Sequence, residues 1–191
     1  MSTNEGLLAI DAGTGSARAL LFDTEGKLLA QAAREWHHQP VDGHPGGTTF
    51  DTDQGWQAVV DSIRDVLAQV EDVRVLGIAP SSMREGFVLY DGAGKELWAC
   101  PNTDGRARQE ADDLVREGIA DEIYRLSGDW VSITAPARMR WIARHQPEVL
   151  QQARHLGMLS DWVATKLSGE YVTDPSCGSS SALFDIAERS W

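Results

Sequence analysis

The chain has 191 residues, a net charge of −12, and 42% hydrophobic against 24% charged residues. That balance suits a globular domain able to bury roughly 70% of its unfolded surface, and its acidity argues against nucleic acid or an anionic membrane as partner. No apolar run approaches a membrane span, the polar start Met1 to Gly6 lacks a secretory pattern, and Cys100 and Cys177 form no CxxC or zinc spacing. A reduced cytoplasmic protein is therefore expected.

Three strands are predicted first, over 7–11, 17–23 and 28–34, with a turn at Asp23 to Lys27 where Gly26 is available for positive φ. The segment His37 to Thr49, rich in Gly, Pro and His, reads as a loop. Trp56, Val59, Val60, Ile63, Val66, Leu67 and Val70 then recur at helical spacing, predicting a helix over 53–70 capped by Thr52 or Asp53. A buried strand follows over 73–79. A hairpin is expected from Phe87–Tyr90 and Glu96–Cys100 around the turn Asp91 to Lys95. Helical segments are placed near 104–117, 119–127, 136–145, 147–154 and 160–168, with Gly128 and Gly169 as stops.

The bend between the first two strands carries the strongest chemical signal. An apolar strand runs into Asp11, then Gly13, Thr14, Gly15 and Ser16 form a small loop, and a second strand starts at once. Backbone N–H groups and two hydroxyls around one concavity suit a phosphate, and Asp11 beside it can hold Mg²⁺ through water. A strand after the loop argues against the P-loop and the Rossmann fingerprint, in which a helix N-terminus takes the phosphate. The hairpin placement points to the ATP site of actin, sugar kinases and Hsp70. Taken alone, the same residues also make an ordinary hairpin turn.

Strand 73–79 empties into Pro80 to Gly86, where Arg84 and Glu85 stand just past a strand's carboxyl end, the usual place for a ligand in an open α/β sheet. A guanidinium that donates and a carboxylate that accepts can grip adjacent hydroxyls of a polyol; an isolated surface ion pair is the plainer reading. Asp104 precedes a helix and can cap it, accept a substrate hydroxyl, or support the pocket. His37, His38 and His44 lie in a Gly/Pro loop without other metal-ligating residues and read as solvated. No Gly-x-Ser-x-Gly elbow surrounds Ser81, Ser82 or Ser179 to Ser181, and the tryptophans are assigned to packing.

Together these residues resemble the N-terminal domain of the FGGY carbohydrate kinases, the family of glycerol, xylulose, ribulose and gluconate kinases. The resemblance rests on Asp11 to Arg18, Ser82 to Gly86, Trp98 to Arg106, Ser160 to Trp162 with Leu167 to Gly169, and Thr173 to Pro175 followed by Ser179 to Asp185. Within the family, Ser82-Met-Arg-Glu-Gly86, Trp98-Ala-Cys100 and Asp174-Pro-Ser176 most resemble the autoinducer-2 kinase branch. The resemblance implies an α/β, ribonuclease H-like fold of the actin, sugar-kinase and Hsp70 type, with a mixed sheet and flanking helices; the order β-β-β-α-β agrees with it. It implies ATP and Mg²⁺ as cofactors, Gly13, Thr14, Gly15, Ser16 and Arg18 at the phosphates, and Asp11 at the metal. It implies Arg84, Glu85, Asp104 and Thr134 at a small sugar or polyol. Glycerol kinases carry a tyrosine near the substrate where Ile133-Thr-Ala135 stands here, which disfavours glycerol.

The family's catalytic base belongs beyond residue 191, so no catalytic residue is expected in this chain. Residues 1–191 are read as a sugar- and phosphate-binding domain, incomplete at its C-terminal end. Its expected partners are the ATP-binding C-terminal domain of the same full-length protein and a further copy of itself, through exposed apolar surface. Little turnover is expected from the chain alone. A xylulose- or ribulose-type kinase is the alternative within the family. From outside it, a non-catalytic actin-like nucleotide-binding module and an α/β domain whose turns merely mimic these motifs stay open.

Overall fold

The computed structural model describes residues 4–191, so Met1 and the next two residues of the polar start lie outside the described part. The described residues form two compact units, one of residues 4–37 and 51–83, the other of 38–50 and 84–191.

The first unit is a four-stranded mixed sheet built from β1 (Asn4–Ala12), β2 (Ser16–Asp23), β3 (Leu28–Glu35) and β6 (Val73–Ser82), in the order β3-β2-β1-β6. β1 runs antiparallel to β2 and parallel to β6. Strand alternation decides which face is covered. Leu8, Ile10 and Ala12 of β1 and Ala17, Ala19 and Leu21 of β2 are buried, and α1 (Thr52–Leu67) brings Val66 against Leu8, Ala19, Leu21 and Ala30. Leu7, Leu76 and Ile78 remain 47%, 45% and 44% exposed. Gly26 turns β2 into β3 at φ +85°, as expected.

The cap of α1 differs from expectation. Asp51, with extended backbone, accepts the Gln54 N–H at 2.9 Å, so the helix starts one residue earlier than a cap at Thr52 allows. The strand expected to end at 79 continues to Ser82, because β1 pairs with it as far as Ala12↔Ser82.

The second unit centres on a three-stranded antiparallel sheet, β8-β7-β9, made of β7 (Phe87–Tyr90), β8 (Glu96–Cys100) and β9 (His155–Met158). All four β7 residues are buried. Around it lie α2 (Arg108–Arg116), α3 (Ala120–Ser127), α4 (Ala135–His145), α5 (Pro147–Gln152), α6 (Leu159–Ser168) and α7 (Pro175–Ser180). The apolar faces of α2 to α5, with Cys177 of α7, join Phe87, Leu89, Val131, Trp141, Ile142 and Met158 in one core. Gly128 and Gly169 close α3 and α6 in the left-handed conformation, as expected.

The loop over 37–49 contains two short paired strands, β4 (Gln39–Pro40) and β5 (Thr48–Thr49). His44 is not solvated there: its ring meets Trp141 at 4.9 Å and His145 at 5.5 Å. The helix expected from about 104 begins at Arg108, after an Ala107 cap that makes no side-chain hydrogen bond, so Asp104 does not cap it.

Candidate functional site

The hairpin between β1 and β2 closes through the Gly13 N–H, which donates to the Ser16 carbonyl at 2.9 Å. An ordinary tight hairpin places glycine where φ must be positive, yet Gly13 and Gly15 are both absent from the positive-φ residues. Packing does not demand them either. A Cβ at Gly15 would meet nothing within 4 Å, and one at Gly13 would come no nearer than 3.5 Å to any atom. Their smallness therefore serves no need of the chain's own fold and leaves a bare surface.

The loop's carbonyls are tied back. The Trp36 indole Nε1–H donates to the Thr14 carbonyl at 3.2 Å, and the Trp36 N–H donates to the Gly15 carbonyl at 3.1 Å. The Thr14 and Gly15 carbonyls, which would repel an anion, thus have partners. Asp11 and Arg18 face one another across the strands, with Arg18 Nη1 3.8 Å from Asp11 Oδ2. They line a groove of about 510 Å³ together with Leu20 and Gln31. Asp11, Gly13, Thr14, Gly15, Ser16 and Arg18 therefore gather at one end of this sheet.

Arg84 and Glu85 belong to the second unit and form a hook. The Gly86 N–H donates to the Arg84 carbonyl at 2.7 Å, closing a three-residue turn centred on Glu85 at φ +60°. A non-glycine residue there is strained. The Arg84 side chain is 79% exposed and its Nε lies 3.5 Å from Glu85 Oε1, while the Glu85 side chain is only 9% exposed. Burial pushes the Glu85 carboxyl above its ordinary range; the Arg84 guanidinium opposes the shift, Asp129 adds to it, and Arg138 opposes it. The hook thus offers an exposed guanidinium and a shielded acceptor side by side.

Asp104 is buried with its carboxylate engaged. It accepts from Arg106 Nε at 2.8 and 2.9 Å and from the Thr48 N–H at 3.0 Å, and Arg106 also donates to the Thr48 carbonyl. These bonds fasten β5 to the loop after β8. Thr134 is buried at the start of α4, and its hydroxyl donates to the Trp130 carbonyl at 3.1 Å.

Two arginines escaped the sequence reading. Arg106 is sandwiched between Trp98 and Trp141, its guanidinium carbon 5.0 and 5.1 Å from the two ring centres. Arg138 is fully buried. Its signal was present: it shares the buried stripe of α4 with Ala135, Trp141 and Ile142, where an arginine needs a dedicated set of acceptors.

Comparisons with known proteins agree on one lineage. Residues 7–191 match the N-terminal domain of the FGGY family of carbohydrate kinases. An autoinducer-2 kinase from Photorhabdus laumondii is 43% identical across 97% of this chain and 36% of its own length; one from Klebsiella pneumoniae is 42% identical with the same coverage. The chain thus spans about a third of the length of these relatives. Among solved structures, a xylulose kinase from Rhodospirillum rubrum superposes with a TM-score of 0.87 at 27% identity, covering 96% of this chain and 38% of that one. A Plasmodium falciparum glycerol kinase with ADP gives 0.87 at 20% identity, covering 98% and 39%, a likeness of fold alone. The fold is the α/β sugar-kinase type expected from the β-β-β-α-β start. The chain belongs to the FGGY family of carbohydrate kinases.

Proposed function

We propose that the full-length gene product is an ATP-dependent kinase that phosphorylates a hydroxyl of a small sugar or polyol, autoinducer-2 first among them, in the cytoplasm. In this reading residues 1–191 supply the phosphate loop and the sugar hook. The observation that carries it is the Arg84–Glu85 turn: an exposed guanidinium beside a shielded carboxylate, held at a strained backbone angle. A nucleotide-binding module without a sugar substrate has no use for that pair. The autoinducer-2 assignment is supported by relatives at 43% and 42% identity.

The residues present fit ATP and Mg²⁺. A bare cradle at Gly15 leaves room for a phosphate to approach the backbone. Among the described residues no group of three or more His, Cys, Asp or Glu could hold a metal ion. Asp11 would therefore act as a lone carboxylate toward Mg²⁺, in keeping with a cation that retains waters and phosphate oxygens. Bound Mg·ATP would supply the transferable phosphoryl group and the cation that neutralises its charge.

The chain's own contribution is orientation. Thr14 and Ser16 would offer hydroxyls, and their loop N–H groups, to phosphate oxygens, with Arg18 adding positive charge. Arg84 would donate to substrate oxygens while Glu85 accepts from a hydroxyl, fixing the sugar by two directional contacts. Asp104 would support this hook rather than touch the sugar, because its carboxylate is taken by Arg106 and Thr48. Thr134 would shape the pocket wall. The acceptor of the substrate proton would lie in the part of the full-length gene product that this chain does not span.

The test is a phosphorylation panel with the full-length gene product and its Arg84→Ala and Glu85→Ala variants, over autoinducer-2, xylulose, ribulose and glycerol. Autoinducer-2 is expected to be the preferred substrate. Each variant should raise the sugar KM by about tenfold or more, the factor that follows from losing a charge-assisted hydrogen bond, while the ATP KM holds. An unchanged sugar KM in both variants favours the nucleotide-binding module.

A further inference from the structure

Arg138 touches neither proposed ligand surface, yet it ties the sugar hook to a second loop. Its Nη1 donates to the Glu85 carbonyl at 2.5 Å. Its Nη2 faces the carbonyls of Pro101, Asn102 and Asp104 at 3.2, 3.2 and 2.8 Å. Its Nε makes no hydrogen bond and lies 3.7 Å from Asp104 Oδ2. One buried guanidinium is thus surrounded by four backbone carbonyls from two loops, its charge balanced by Asp104, which is itself held by Arg106.

The Glu85 carbonyl belongs to the one residue of the hook with positive φ. A strained turn persists only where its surroundings over-determine it, and this carbonyl is the point at which the surroundings grip. The planar fork of a guanidinium can reach acceptors on two loops from a single side chain, whereas the three donors of an ammonium diverge from one atom.

We propose that Arg138 is a positioning residue for the sugar site: by holding the Glu85 carbonyl against the 101–104 loop it sets the direction in which the Glu85 carboxylate meets the substrate. The inference rests on the sugar-hook reading above. Arg138 thereby couples Asp104 to substrate recognition without either side chain contacting the sugar.

The experiment is a double-mutant cycle in the full-length gene product, using whichever of autoinducer-2, xylulose and ribulose is phosphorylated. Arg138→Lys keeps the charge and should raise the sugar KM about tenfold with the ATP KM unchanged. In a Glu85→Ala background the same substitution should add less than about twofold, because the group it orients is gone. A full additional effect there, or no KM change in Arg138→Lys alone while Glu85→Ala shows one, overturns this inference and leaves the sugar hook standing. An unchanged KM in Glu85→Ala overturns both. A purely structural role would lower the melting temperature without separating the two KM values. In wild-type protein carrying isotope-labelled arginine, the Arg138 Nε resonance should move at saturating sugar; a resonance that stays in place overturns the inference even if the lysine variant does not fold.

Discussion

Replacing Glu85 by glycine and, separately, by alanine isolates the strain stored in the hook. Both substitutions remove the buried carboxylate, so its desolvation cancels between them and only the backbone differs. At φ +60° a residue with a Cβ carries a penalty of about 1–2 kcal/mol that glycine escapes. Glycine gives back roughly 0.4–1 kcal/mol through the greater freedom of its unfolded chain. Taken at the middle of each range, the balance makes Glu85→Gly more stable than Glu85→Ala by about 0.8 kcal/mol, which is roughly 2–3 °C in melting temperature for a chain of this size. Differential scanning calorimetry of the two variants, side by side in one buffer, reads the difference. An alanine variant as stable as the glycine variant would falsify the claim that the turn is strained. Loss of sugar binding in both, alongside the gain in the glycine variant, is the trade expected where a functional residue holds an unfavourable backbone angle.

Gly15→Ala should leave stability within about 0.5 kcal/mol, because the added Cβ meets nothing within 4 Å, yet raise the ATP KM of the full-length gene product about tenfold; an unchanged KM removes the phosphate from that loop. Gly86→Ala should cost about 1–3 kcal/mol in a denaturant melt, since its Cβ would sit 2.7 Å from Leu159 Cδ1 and 2.9 Å from the Cys100 carbonyl, and a neutral result would mean that β7 shifts freely. The pH dependence follows from the raised Glu85 carboxyl: the folded state holds this proton more tightly than the unfolded state, so the contribution is present below the ordinary carboxylate pKa and is lost as pH rises through the folded value. Glu85→Gln should therefore gain stability relative to wild type as pH rises from the ordinary carboxylate pKa through the folded value, and a gap that narrows with rising pH contradicts the assigned shift.

Much of this architecture was legible from residue spacing. The alternation in β1 and β2 and the helical recurrence in α1 arise where one face is buried and the other is not, and periodicity reports that contrast directly. β9 escaped notice because His155-Leu-Gly-Met158 is short and holds a glycine that usually signals a break. The structure explains the glycine: a Cβ at Gly157 would lie 3.4 Å from Asp161 Cβ and 3.6 Å from the Tyr90 ring. α7 is a single capped stretch of small residues with no apolar period to detect; only Asp174, which accepts from the Ser176 and Cys177 N–H groups, announces it.

The same contrast holds in the site. The placement of Arg84, Glu85 and the Gly13–Ser16 loop was legible because chain order alone sets them at strand ends. The partners of Asp104 were not legible, since Thr48 and Arg106 come together only when β5 and the loop after β8 are folded against each other. Arg138 was hidden for a like reason. Its acceptors are backbone carbonyls from two loops, and a carbonyl leaves no trace in residue identity.

A crystal structure of the full-length gene product with autoinducer-2, Mg²⁺ and a non-hydrolysable ATP analogue tests the account most directly. It should show sugar hydroxyls on the Arg84 guanidinium and the Glu85 carboxylate, phosphate oxygens on the 13–16 loop, and Mg²⁺ beside Asp11. Sugar density away from Glu85, or a triphosphate that leaves the loop bare, would contradict it.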